Sequence, residues 1–176
     1  MSVPLPPRSR PLLRTYARKP YLTAARLSPA LRKWCDRHGY ITPHFTWKSY
    51  ACTDGTRVPD HLRGNAIRLH WKLELMRHRM GDVSMTVDGP YRTLRKNRAV
   101  GGAGNSRHTY ADAADFFSVQ VDRWVRQSST LRSRSDVLKI ADRTFYNGGV
   151  GNETSGTLHV DARGYKSRFV SWVAGR

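Results

Sequence analysis

The sequence predicts an α+β fold in a single domain: a small, mainly antiparallel sheet flanked by helices. Three observations carry this. Apolar residues recur at helical spacing over 60–79. Short alternating or apolar runs bounded by turn residues occur at 83–87, 113–121, 157–161 and 168–173. The order is helix, helix, strand, long loop, strand, helix, strand, strand, and such a mixture indicates α+β. The chain has 176 residues, which suits one domain with a tail. Its hydrophobic share of 39% is that of a chain that folds, and its length buries a core without disulfides.

Each element has a local cause. Residues 1–20 carry Pro4, Pro6, Pro7, Pro11 and Pro20 interleaved with Arg8, Arg10, Arg14, Arg18 and Lys19. Proline at this density blocks helix and sheet. Residues 1–27 therefore read as an extended basic arm and 28–176 as the folded domain. No apolar run follows those charges, so a signal peptide is not expected. Ser28 and Pro29 supply a cap and a first helical residue, and Gly39 closes that helix. Asp60 is expected to cap a helix over 60–79 that Gly81 stops. Leu62, Ala66, Leu69, Leu73, Met76 and Met80 form its apolar stripe. Val83, Met85 and Val87 alternate as in a strand. Residues 88–106 form a long loop with a helical turn near Leu94. A strand is expected over 113–121, and Ser135 is expected to cap a helix reaching 145. Gly148, Gly149 and Gly151 break the chain before strands over 157–161 and 168–173.

Lys and Arg number 31 against 13 Asp and Glu, a net charge of +18. Such a surplus attracts a polyanion: nucleic acid, a membrane surface or an anionic cell wall. No segment is long and apolar enough to span a bilayer. The chain shows no recognisable nucleic-acid-binding motif and no periodic basic helix face, which argues against nucleic acid as the partner. Cys35 and Cys52 lack a zinc-type spacing and read as two small, partly buried thiols.

Seven histidines are present. His38, His44, His61, His70 and His78 lie on or beside basic or helical stretches and read as solvated or half-buried. His108 and His159 differ. His108 leaves a Gly/Asn-rich loop, and Asp115 follows on the next strand. His159 lies on a strand after a glycine-rich loop. Residues two apart on a strand share a face, so His159 and Asp161 point one way while Leu158 and Val160 point into the core. Two imidazoles and a carboxylate suit a catalytic zinc, which takes three protein ligands and keeps a position open for water.

Residues 106–115, Ser-Arg-His-Thr-Tyr-Ala-Asp-Ala-Ala-Asp, resemble the SxHxxGxAxD signature of the M15 zinc peptidases, the D-alanyl-D-alanine carboxypeptidase and phage endolysin family. Further pieces follow in the family's order. Phe45-Thr46-Trp47-Lys48-Ser49-Tyr50-Ala51-Cys52-Thr53-Asp54-Gly55 resembles its opening FxxxEFACxxG segment. Gly89-Pro90-Tyr91-Arg92-Thr93 with Asn97-Arg98-Ala99-Val100-Gly101-Gly102-Ala103 resembles its GYR…NxAVGGA loop. Val150-Gly151 with Leu158-His159-Val160-Asp161-Ala162-Arg163-Gly164 resembles its closing HVDxRG strand. The resemblance covers roughly residues 45 to 172.

The resemblance implies the hedgehog/DD-peptidase type of α+β fold and one Zn2+ held by His108, Asp115 and His159. It implies that Arg92 contacts substrate and steadies the oxyanion; a fixed guanidinium can stabilise charge that develops only in the transition state. Asp161 is the first candidate for general base, with a second role open to it: an acceptor that orients His159 or pairs with Arg163. Glu153 is the alternative base. The family's glutamate three residues before the last histidine is Gly156 here. The motif glycine is Ala111, which demands that the backbone there avoid a positive φ. The opening acid is Ser49, and Pro90 is inserted before Tyr91. Asp112 reads as solvated. The expected activity is hydrolysis of a peptide or terminal amide bond in a peptidoglycan stem peptide, by a phage lysin acting at the host wall, released through a holin or carried on the virion or tail. The basic arm would then dock to another virion or tail protein. An inactive wall-binding module of the same fold is the competing expectation.

Overall fold

The computed structural model describes residues 29–152 and 155–169; the expected basic arm and Glu153 lie outside the described residues. Helix α1 (Pro29–Arg37) ends ahead of Gly39, whose φ is +72°. A hairpin that the sequence reading did not foresee follows, β1 (Tyr40–Thr42) and β2 (Phe45–Thr46). A single helical turn, α2 (Trp47–Tyr50), starts where the Ser49 N–H donates to the Thr46 hydroxyl, 3.0 Å. A 3-10 turn (Asp60–Leu62) leads into α3 (Arg63–Arg79), so Asp60 opens that turn and makes no side-chain cap. Then come α4 (Leu94–Ala99), β3 (Ala113–Phe116), α5 (Ser118–Gln127), α6 (Arg134–Thr144), β4 (Gly149–Asn152), β5 (Leu158–Asp161) and β6 (Ser167–Phe169).

The four later strands form one sheet in the order β3-β5-β4-β6. Strand β5 is antiparallel to both neighbours, and β6 runs parallel to β4. The α+β class with a mainly antiparallel sheet is therefore what the chain adopts. Ala66, Leu69, Leu73, Met76 and Met80 of the predicted stripe are buried together with Phe116, Trp124, Phe145, Val150, Leu158 and Val160. Burial of each large side chain contributes about 1.5–3 kcal/mol, so this shared core fixes α3 against the sheet. Both cysteines are free and buried. Among the described residues no helix is long and apolar enough to cross a membrane.

Several boundaries differ from expectation. Residues 83–87 alternate in burial as predicted, yet form no strand. Side chains of α5 take the place of a neighbouring strand. Gln120 Nε2 donates to the Thr86 carbonyl at 2.6 Å, the Thr86 N–H donates to Gln120 Oε1 at 2.8 Å, and Trp124 Nε1 donates to the Ser84 carbonyl at 2.8 Å. The strand expected over 113–121 stops at Phe116, because the Phe117 N–H turns to the Asp88 carboxylate (2.8 Å) and α5 begins. Val121 and Trp124 are then buried at helical rather than alternating spacing. The cap of α6 is Ser133, not Ser135, in a capping box with Asp136. The last strand is described only over 167–169; the rest of 168–173 lies outside the described residues.

Candidate metal centre

Register brings the two halves of the site together. In the β3–β5 pair Asp115 lies opposite His159, and Ala113 lies opposite Asp161. Directly opposed residues of an antiparallel pair share a face with their Cβ atoms about 5 Å apart. Asp115 and His159 therefore meet although 44 residues separate them, and His159 Nδ1 lies 2.7 Å from Asp115 Oδ1. On the core face Leu158 and Val160 are buried, as the alternation predicted.

His108 arrives from the 3-10 turn Arg107–Tyr110 just before β3. Its Nδ1 donates to the Pro90 carbonyl at 2.9 Å, which turns Nε2 towards Asp115 Oδ1, 3.2 Å away. One ligand atom from each of His108, Asp115 and His159 lies within 4.8 Å of the other two, and all three residues are buried.

The donor set fits a divalent cation. The Nδ1–H of His108 is committed to Pro90, so its inward Nε2 presents a lone pair. His159 turns Nε2 to Asp161 Oδ2 at 3.3 Å, so its inward Nδ1 does the same. Two lone-pair nitrogens and a carboxylate thus face a common point, and a positive charge is what reconciles them. A proton can serve the same end. Burial disfavours a charged His159, but its hydrogen bonds to Asp115 and Asp161 outweigh that and push its pKa up to about 9. Asp115 is also buried, yet its contacts with the two histidines hold it well below the usual carboxylate range.

The loop that carries Arg92 is locked to both elements. The Asp88 and Gly89 N–H groups donate to the Asp115 carbonyl (3.0 and 3.1 Å), and the Arg92 N–H donates to the His108 carbonyl (3.2 Å). Arg92 Nη2 donates to Asp115 Oδ2 at 3.0 Å. A Cβ added at Gly89 would run into the Asp115 carboxylate, so only glycine permits this approach. Pro90 costs the site nothing, because it is its carbonyl that His108 uses.

Asp161 is fully buried and densely solicited. It accepts from the Gly149 N–H (2.9 Å), from the Arg163 N–H (3.1 Å) and from a guanidinium fork of Arg163. Together with His159 these donors occupy both carboxylate oxygens. Of the two roles the sequence left open, the geometry fits the orienting acceptor and leaves little for a proton-abstracting base. Gly156, at φ +78°, could not hold a glutamate without strain.

Three other expectations change. Ala111 has φ +55° and ψ +32°, the left-handed region the sequence reading excluded for it. The 3-10 turn closes through the Ala111 N–H to the His108 carbonyl (3.2 Å) and the Asp112 N–H to the Arg107 carbonyl (3.5 Å). Those bonds and a fully buried methyl offset a strain of about 1–2 kcal/mol. Asp112, expected in solvent, is fully buried and gripped by the Arg107 guanidinium. His70, expected at most half-buried, is fully buried between Phe45 and Tyr50, with Nδ1 donating to the Ala66 carbonyl at 2.8 Å. Gly89, Pro90 and Gly149 are the supporting residues that sequence reasoning undervalued, whereas the pairing of Arg163 with Asp161 was among its alternatives. The signal for Gly89 and Pro90 was their place inside a motif, and for Gly149 its place in the glycine cluster.

The family model for Peptidase M15 matches residues 40–147, which takes in Arg92, His108 and Asp115 and stops short of His159. Over 53 residues the chain is 55% identical to the zinc D-Ala-D-Ala carboxypeptidase of Streptomyces albus G, a match covering 30% of this chain and 21% of that protein. The match thus spans about a fifth of that relative's length. With a family model covering most of the described residues and a His/Asp/His cluster behind it, the chain belongs to the Peptidase M15 family.

Proposed function

We propose that this chain is a zinc-dependent peptidase that cuts a D-alanyl-type peptide or terminal amide bond in the stem peptide of bacterial peptidoglycan. The convergence of His108, Asp115 and His159, with Arg92 on the same carboxylate, carries the reading. The likeness to a zinc D-Ala-D-Ala carboxypeptidase supports the metal and the substrate class.

His108, Asp115 and His159 would hold the zinc, which supplies a water acidified towards neutral pH and a Lewis acid for the scissile carbonyl. Arg92 spends one N–H on Asp115 and keeps others for a substrate oxygen, so that negative charge growing on the carbonyl meets a guanidinium already in place. Asp161 keeps the His159 ring oriented. The base role passes to Glu153, which follows directly on β4, the strand whose Gly151 pairs with His159. The net charge of +18 suits an anionic wall, and we place the enzyme in a phage lysin acting there.

The test is digestion of purified peptidoglycan by zinc-loaded protein, with products read by mass spectrometry and turbidity followed in parallel. Release of D-alanine or of cut stem peptides supports the reading. Intact muropeptides with zinc bound would leave a wall-binding module of the same fold instead.

A further inference from the structure

We infer that Arg163 is a positioning residue for the metal centre, acting through Asp161 on His159; this rests on the zinc-peptidase reading above. The Arg163 guanidinium reaches Asp161 through Nε (2.8 Å to Oδ1, 3.0 Å to Oδ2) and through Nη2 to Oδ2. Its backbone N–H adds a bond to Oδ1 at 3.1 Å, and the Gly149 N–H adds another to the same oxygen at 2.9 Å. A two-pronged guanidinium–carboxylate pair admits one coplanar arrangement, so the plane of Asp161 is set by Arg163.

That plane decides what His159 can do. With Oδ1 taken by Gly149 and the Arg163 backbone, Oδ2 is the oxygen left to face His159 Nε2, at 3.3 Å. Nε2 then keeps the ring proton, and Nδ1 is the nitrogen offered beside Asp115. Freed from its fork, Asp161 would keep two backbone N–H donors on Oδ1 and the His159 ring on Oδ2, with no second prong to hold its plane, and could rotate. Such a rotation lets the His159 ring choose the wrong tautomer or turn away. Room for this carboxylate is itself built in, because a Cβ at Gly149 would collide with it.

A matched pair lies close by. Arg107 grips Asp112, an equally buried carboxylate, with a similar fork. The Asp112 carbonyl accepts the Ala162 N–H at 2.8 Å, but its carboxylate has no described hydrogen bond to either ligand histidine, so this pair shares the burial and the chemistry without a carboxylate–histidine bond. It separates loss of a buried ion pair from loss of positioning.

The experiment uses the full chain. Zinc affinity is measured by chelator competition for wild type, Arg163→Gln, Arg163→Lys, Asp161→Asn, the Arg163→Gln/Asp161→Asn double variant and Arg107→Gln. Cobalt(II) absorption spectra and the ring 15N shifts of His159 in zinc-loaded protein are recorded alongside. Arg163→Gln should weaken zinc binding by roughly 10–100-fold, alter the cobalt spectrum and broaden or shift the His159 ring signals. Arg163→Lys, which restores charge without the fork, should recover only part and serves where Arg163→Gln folds poorly. The double variant should bind zinc no worse than Asp161→Asn alone, because one acts through the other. Arg107→Gln should lose stability and leave the cobalt spectrum as it was. Wild-type affinity in folded Arg163→Gln or Arg163→Lys, or losses that add in the double variant, would overturn the inference. Absence of zinc binding in wild type would instead overturn the peptidase reading.

Discussion

Asp115 and His159 face each other across the β3–β5 pair, carboxylate to imidazole at 2.7 Å, from strands 44 residues apart in the chain. The same carboxylate receives Arg92 at 3.0 Å and His108 at 3.2 Å. One aspartate thus joins the two motifs, and the consequences can be measured.

Metal content comes first. About one zinc per chain is expected, since three protein ligands with an open position make a catalytic site. Elemental analysis should find it lost in His108→Ala and retained in His70→Ala. Gly89→Ala should weaken zinc binding while the fold persists, because the new methyl displaces the Asp115 carboxylate. Full zinc content in His108→Ala would rule out the proposed ligand set.

Arg92→Ala should lower turnover by roughly 10²–10³ with zinc still bound, since it removes an oxyanion contact and no ligand. Arg92→Lys should recover part of the rate, lacking the planar fork. Steady-state kinetics with zinc analysis of the same samples decides; unchanged turnover in Arg92→Ala would make the residue a support for Asp115 only.

The base assignment separates by metal titration. Glu153→Gln should keep zinc and lose roughly 10²–10⁴ in rate. Asp161→Asn should bind zinc about 10–100-fold more weakly and regain activity as zinc is added. A dead Asp161→Asn at saturating zinc, beside an active Glu153→Gln, would return the base role to Asp161.

Acid should destabilise the fold through His70. Burial pushes its pKa down from 6.5 to about 4, with the bond to Ala66 opposing only in part. Above pH 6.5 the ring is neutral in both states and costs nothing. As pH falls from there towards 4 the unfolded chain takes up a proton that the folded chain refuses, so stability is lost across that window. His70→Leu removes this loss together with a buried Nε2 that has no partner among the described residues. Urea denaturation at fixed zinc should show the variant gaining on wild type by roughly 2 kcal/mol between pH 7.5 and pH 5. A pH-independent gap would contradict the burial argument.

The sequence alone determined the class of fold and the apolar face of α3, and its resemblance to the M15 motifs pointed to the three candidate ligands. Helix stripes, strand alternation and glycine punctuation are short-range properties, written in consecutive residues. The motif around His108 and Asp115 and the one around His159 are equally local, so the resemblance to the family could be read before the shape of the site. Tertiary structure decided the rest. Val83, Met85 and Val87 have a strand's pattern, yet Gln120 and Trp124 occupy the backbone groups a neighbouring strand would have used. Ala111 takes a left-handed backbone because the bonds that close its turn and its buried methyl outweigh a local preference of one or two kcal/mol. The surroundings of Asp161 depended on three donors, Gly149, Arg163 and His159, converging on it from two strands and the turn beyond. Whether a carboxylate is a base or a brace depends on how many donors reach it. Strand register sets that number, and register is a relation between distant residues that no single segment contains.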